Sequence, residues 1–386
     1  MSDTGPSAPA ASGTSPDAPA QPGAELRPVR PGDAPAIARL ARRAFGPTEA
    51  VFVRSRGEGF VVEAPDGLAA AVLLRVIPLP GGRKAGFVSW VMTDPDHRGR
   101  GLASALTARG VARLDEMGCE RILTEIEGHN TGSQGVFRGL GFHPVGLRTQ
   151  IAAFGLAGTV SVHLRTNLIF DPGHDLWLLD AAPEPAAEGP QRRAGWGVNA
   201  AFALMALGLG GGLLLSGAPS WPSVMQAAFM ILAVAVTLGL REAVMRGVAR
   251  AHGMPVRFRG WVGGWGITAA IALLFGSLFP LPGSVYPAAR DWRYRAALPV
   301  LGRAALAGTA AVAALVALAL WTVAALPDTL AGAFAASLLV IGTPLLVFDA
   351  VMAFPPFHAF NARRIHDLHR GLWAGMAALA LLLVLW

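Results

Sequence analysis

Apolar and polar positions change their rhythm along this chain, and the changes mark its parts. "ELRPVRPGD" predicts a short strand, and "APAIARLARRAF" spaces its apolar residues as one face of a helix. "GEGFVVEAPDGLAAAVLLRVIP" predicts two strands joined by the turn "APDG", and "KAGFVSWVMT" a further strand. "LASALTARGVARLDEMG" predicts a helix stopped by Gly118. "CERILTEIE" then reads as a strand, "NTGSQGVFRGLG" as a short helix, and Val160 to Phe170 as a last strand. Helices and strands thus mix over residues 25–170, as in an α/β domain. Beyond Trp196 the pattern becomes continuously apolar. The predicted membrane segments are 196–217, 222–245, 261–281, 298–326, 329–353 and 371–386. A span needs about 20 apolar residues to cross roughly 30 Å of hydrocarbon. The 261–281 run is broken by glycines and ends in "FPLPG", so it reads as a re-entrant element among five spans.

Composition sharpens this division. Of the 386 residues, 53% are hydrophobic and only 15% charged, which argues against an ordinary soluble protein. Residues 1–24 are rich in Pro, Ala, Ser and Gly, lack a signal-peptide pattern and are expected to be disordered. "DPGHDLWLLDAAPEPAAEGPQRR" makes 171–195 a linker. The net charge of +7 raises the question of nucleic acid, but the arginines mostly flank apolar runs, so no nucleic-acid partner is expected. Arg192 and Arg193 precede the first span and "RGVARAHGMPVRFRG" follows the second, which puts the soluble half in the cytoplasm of an integral membrane protein. Cys119 is alone, so no disulfide framework or cysteine-rich metal site is expected.

Candidate chemistry centres on "VSWVMTDPDHRGRGLASAL". A strand ends at Thr93, and Arg98-Gly99-Arg100-Gly101-Leu102-Ala103 opens a helix. Free N–H groups, the positive end of the helix dipole, close-approach glycines and arginine charge suit a pyrophosphate. The stretch resembles the acetyl-CoA motif of the Gcn5-related N-acetyltransferase (GNAT) superfamily, R/Q-x-x-G-x-G/A, with Arg98, Gly101 and Ala103 at its fixed places. "RILTEIEGHNTGSQGVFRGLGF" is similar to the family's next block, and the resemblance covers about Leu26 to Phe170. It implies that Val91, Met92 and Thr93 present strand backbone to the pantetheine arm. Residues 98–103 would hold the pyrophosphate, and Asn130 would help to fix the arm. It further implies acetyl transfer from acetyl-CoA, as cosubstrate, to an amine of unknown identity, with Glu125 as base. The family's usual acid is a tyrosine, and Phe137 stands in its place. Glu127, His129 and His143 are further titratable groups near the cleft, with no role assigned.

The apolar half carries "LREAVMRGVARAHG", where a charged cluster interrupts an aliphatic run. Its frame, with "PGSVYPAARDWRYRAALPVLGRAALAG" and "FPPFHAFNARRIHDLHRGLW", resembles the site-2-type intramembrane metalloproteases. The resemblance puts Arg241, Met245 and Asn361 at the three zinc-ligand places. Arginine cannot bind zinc, and thioether and amide bind it poorly, so neither metal nor proteolysis is expected. Glu242 is expected to pair with Arg241 at the membrane boundary. An alternative reading, that REAVM merely ends a helix at the interface with snorkelling arginines, leads to the same outcome. The expectation is a GNAT domain followed by an α-helical polytopic membrane domain in the lipid bilayer, acting as a tethered acetyltransferase. The alternative is a non-catalytic acetyl-CoA sensor, which Phe137 favours.

Overall fold

Alternating buried positions assemble the N-terminal strands into one mixed sheet. The computed structural model describes residues 25–54, 58–166, 168–182, 188–209, 214, 222–289 and 291–385, so the expected disordered tail lies outside the described residues. β1 (Glu25–Pro28), β2 (Gly59–Ala64), β3 (Gly67–Pro78) and β4 (Lys84–Thr93) pair antiparallel in sequence order. β5 (Arg121–Glu127) pairs parallel to β4. β6 (Phe142–Pro144) is the far edge, and β7 (His174–Leu179) inserts between it and β5. α3 (Leu102–Glu116) and α4 (Thr131–Gly139) cover one face, where Leu106, Leu114 and Phe137 pack on Val72, Val88, Ile122 and Ile126. α1 (Ala34–Phe45) and α5 (Leu147–Thr166) cover the other, through Ile37 and Leu40 and through Phe154 and Val162. A single turn, α2 (Pro47–Ala50), follows α1.

Two expectations fail here. The stretch Val160 to Phe170 is helical to Thr166, and Leu168–Phe170 form a 3₁₀ turn. Val160, Val162 and Leu164 alternate like a strand, but only Val162 is buried, whereas Val160 and Leu164 are each 52% exposed. The missing strand is β7, inside the expected linker, where Leu176, Trp177 and Leu178 are buried. Asp175 within it and its neighbours Pro172 and Gly173 masked a strand that pairs on both sides, between β5 and the edge strand β6.

The C-terminal half is helical. α6 (Glu188–Leu209) also begins within the expected linker, and the end of the predicted first span falls largely outside the described residues. α7 (Val224–Ala251), α9 (Tyr294–Ala325) and α10 (Leu330–Ala350) are long and apolar enough to cross a membrane. Between the first two, β8 (Val256–Arg259) pairs antiparallel with β9 (Ser284–Pro287). α8 (Trp265–Phe275) lies between these strands, so the chain leaves and re-enters this region at one place. Its eleven residues reach about 16 Å, half the hydrocarbon thickness. α11 (Asn361–Leu368) and α12 (Arg370–Leu385) complete the half.

The two halves are packed together. A Cβ on Gly128 would meet Tyr286 of β9 at 2.9 Å, and one on Gly173 would meet Ala359 at 2.1 Å. The Arg259–Asp175 ion pair and a His358–Glu49 contact cross the same seam.

Candidate functional site

The site begins with an irregularity in β4. Register with β3 shifts between Leu73 and Leu74, skipping Ser89, whose hydroxyl donates to the Leu73 carbonyl at 2.9 Å. Such a bulge bends its strand. β4 and β5 pair only from Ala85 to Phe87 against Arg121 to Leu123; beyond that point the Thr124 hydroxyl donates to the Val88 carbonyl and β5 pairs with β7 alone. Two strands that part in mid-sheet leave a wedge lined by backbone groups.

At the end of β4, Asp94 caps a 3₁₀ turn by accepting from the Asp96 N–H, and Arg43 pairs with both carboxylates. The loop then runs through Gly99 (φ +78°) and Gly101 (φ +75°) into α3. Both glycines hold the left-handed conformation that costs an L-residue about 1–2 kcal/mol. The first N–H groups of α3 have no intrahelical acceptor. The Arg98 guanidinium donates to the Ala44 carbonyl and that of Arg100 to the Asp96 carbonyl, so both arginines are held beside the loop.

A cavity of about 600 Å³ opens here, and Val91, Thr93, Arg98, Gly99, Arg100, Gly101, Leu102, Ala103 and Asn130 all line it. Phe45, Ser133 and Phe137 line it too. Asn130 caps α4 by accepting from the Ser133 N–H at 3.1 Å, and the buried Phe137 meets Phe142 edge-on. Two expected residues stand elsewhere. The Met92 side chain points to the opposite sheet face and packs against α1, since neighbours along a strand face opposite ways. Glu125 does not line the cavity. It shares the face of Leu123, towards α5, with one carboxyl oxygen buried and unpartnered. Burial, then the nearby Asp171, pushes its carboxyl well above the usual range, against a hydrogen bond from Thr166.

Two residues further along β5, Glu127 occupies the same face. It is linked to His129, which reaches Arg364 of α11. Glu49, His358 and Arg363 continue this polar seam, with the Arg363 guanidinium 2.7 Å from His358 Nε2 and His358 Nδ1 3.5 Å from Glu49. Sequence reading gave Glu127 and His129 no role and missed Arg364, because the contact joins residues 235 positions apart.

In the C-terminal half, Arg241, Met245 and Asn361 meet around a residue the sequence reading did not single out, Asp349. The Arg241 Nε donates to Asp349 at 2.5 Å and a second nitrogen at 3.0 Å. The Asn361 amide donates to Asp349, Thr309 and Met245 Sδ at 3.1, 3.3 and 3.7 Å. Glu242 does not pair with Arg241, as expected from their adjacency; it pairs with Arg192 and Arg246, since neighbours on a helix point about 100° apart. These residues do not fit a zinc ion, because the Arg241 guanidinium cannot bind metal and takes up the charge of Asp349.

Residues 31–142 match the family described as Acetyltransferase (GNAT) family. Mycothiol acetyltransferase of Saccharomonospora viridis is 42% identical over 72 residues, 19% of this chain and 24% of that protein. N-alpha-acetyltransferase MAK3 of Arabidopsis thaliana is 35% identical over 57 residues, 15% of this chain and 30% of that protein. The match therefore spans less than a third of either relative. Among solved structures, ribosomal-protein-S18-alanine N-acetyltransferase from Escherichia coli is 19% identical, covering 42% of this chain and 97% of that one with a TM-score of 0.30. The NatC complex bound to Gag peptide and CoA gives 12%, 42%, 99% and 0.29 for the same quantities.

Proposed function

We propose that this chain, whose residues 31–142 match the GNAT acetyltransferase family, transfers acetyl from acetyl-CoA to an amine at a membrane surface. One observation carries the reading. The wedge between β4 and β5, the Arg98–Ala103 loop and Asn130 border one cavity, with donors and cations where a pyrophosphate requires them. The pantetheine arm lies along Val91 to Thr93, and the thioester reaches the wedge. The acceptor nitrogen then attacks the carbonyl carbon, the C–S bond breaks, and CoA leaves as its thiolate. The ammonium must first lose a proton, and Glu125, on the sheet face towards α5 with its carboxyl raised by burial, is the base in this reading. Phe137 offers no proton to the thiolate, so that proton comes from water or from the Ser133 hydroxyl.

The C-terminal half anchors the domain to the bilayer, with the domain on the cytoplasmic side and residues 261–281 as a re-entrant element between β8 and β9. Its likeness to site-2-type proteases is supported by the meeting of Arg241, Met245 and Asn361, with an arginine–aspartate pair in place of metal. Phe137 favours a second reading, an acetyl-CoA sensor without turnover. The test uses the full chain in detergent with acetyl-CoA and primary amines, reading free CoA. Acetyl transfer gives amine-dependent CoA release; tight acetyl-CoA binding with no release from any amine gives the sensor.

A further inference from the structure

We propose that Arg364, in the C-terminal half, is a positioning residue for acetyl transfer: through His129 it holds Glu127 as the carboxylate that takes up the acceptor's ammonium. The inference rests on the acetyl-transfer reading above.

Arg364 is fully buried on α11. Its Nε donates to His129 Nε2 at 2.9 Å, another nitrogen donates to the Val285 carbonyl at 3.0 Å, and the guanidinium lies 5.1 Å over the Tyr286 ring. A guanidinium has donors only, so His129 Nε2 must present its lone pair. The imidazole proton therefore sits on Nδ1, 3.2 Å from Glu127 Oε1, and donates to it. The rings of Tyr286 and Tyr294 pack against the imidazole with centroids 5.2 and 5.1 Å away. Both ring nitrogens are engaged, so His129 is a connector and not a base.

Electrostatics agree with this geometry. Burial first, then the Arg364 charge, lowers His129, so the ring is neutral at physiological pH. The Glu127 carboxyl is held below its ordinary value: burial pushes it up, but the His129 hydrogen bond leads the opposing causes and keeps it ionised. Around Glu127 stand His174 and His358, and across from it Glu49, whose carboxyl is pushed up by burial and by the Glu127 charge. Arg363 adds positive charge near His129. Glu127 keeps a second oxygen for a ligand, and an ammonium would relieve its repulsion with Glu49. A buried guanidinium donating to a neutral imidazole is costly as packing alone. The arrangement makes sense as a device that fixes one tautomer and one carboxylate beside the wedge.

The test uses the full chain in detergent, with spermidine, a hexapeptide bearing a free N-terminus, and phosphatidylethanolamine vesicles as separate amine probes. Glu127→Gln and Arg364→Gln are expected to raise the KM of the accepted amine about 10- to 100-fold, as loss of a charged hydrogen bond does. Acetyl-CoA affinity should stay within about twofold, and Arg364→Lys should recover part of the loss by restoring the cation. The double variant should be no worse than Glu127→Gln alone, because both act through one carboxylate. Histidine ¹⁵N spectra, with His129→Gln for assignment, should show Nδ1–H and no titration from pH 5.5 to 8 in the wild type, and a titrating ring in Arg364→Gln. Additive effects, lost acetyl-CoA affinity, or an Nε2–H ring in the wild type would overturn the proposal. A wild type active on one probe but matched by both variants overturns the proposal alone. A wild type that binds acetyl-CoA and acetylates none of the three probes overturns the transfer reading, and this proposal with it.

Discussion

Two glutamates on one strand face show what single residues do here. Glu125 is half-buried with an unpartnered oxygen and a raised carboxyl, whereas Glu127, two positions on, is bonded to a neutral imidazole and stays ionised. Their spacing was legible in "TEIEGHN"; the difference between them was not, because it comes from Thr166, Asp171 and Arg364, which are distant in sequence. The loop glycines were more readable, since only the backbone matters there. Gly101 has φ +75° and room for a Cβ, so the cost of a side chain is conformational. Gly101→Ala should therefore let the loop relax out of the left-handed conformation in the free chain, so that the penalty of about 1–2 kcal/mol falls mainly on acetyl-CoA binding, about 10-fold, and little of it on thermal unfolding. Titration calorimetry on the two proteins measures this.

At the scale of elements, alternation and capping marked β1 to β5 and α1, α3 and α4, because their buried sides are apolar and their ends carry turn residues. They failed where the exposed side of α5 is apolar, and where β7 is flanked by proline, glycine and acidic residues. In the C-terminal half, Arg241 of α7 is buried among helices. Arg241 reaches Asp349 on α10, and Asn361 at the start of α11 closes the cluster, so three helices are tied at one point. Removing one member of such a pair leaves an uncompensated charge away from water. Asp349→Leu should cost about 3–5 kcal/mol, and Arg241→Met with Asp349→Leu should recover most of it. Thermal unfolding in detergent provides the comparison; a double variant no more stable than Asp349→Leu would refute the pairing argument.

For the whole molecule, the sequence suggested a catalytic domain tethered by a linker, whereas the two halves share a polar seam. Covalent order is visible in a sequence, but docking between residues such as His129 and Arg364 is not. The seam makes the assembly sensitive to acid. His129 and His358 are both held down to about 4, first by burial. Unfolded histidine titrates near 6.5, so between these values the unfolded chain binds protons that the folded chain refuses. Stability should be full above about pH 7 and fall as pH drops towards 4, by about 2 kcal/mol per histidine at pH 5. His129→Gln and His358→Gln should each flatten the fall in thermal midpoint between pH 7 and 5. The most direct test of the account is transfer itself, with ¹³C-acetyl-CoA, the full chain in detergent and the three amine probes analysed by mass spectrometry. The account predicts labelled acetyl on one of the amines, with the yield reduced by Gly101→Ala and by Glu127→Gln; bound acetyl-CoA with no labelled amine would contradict it.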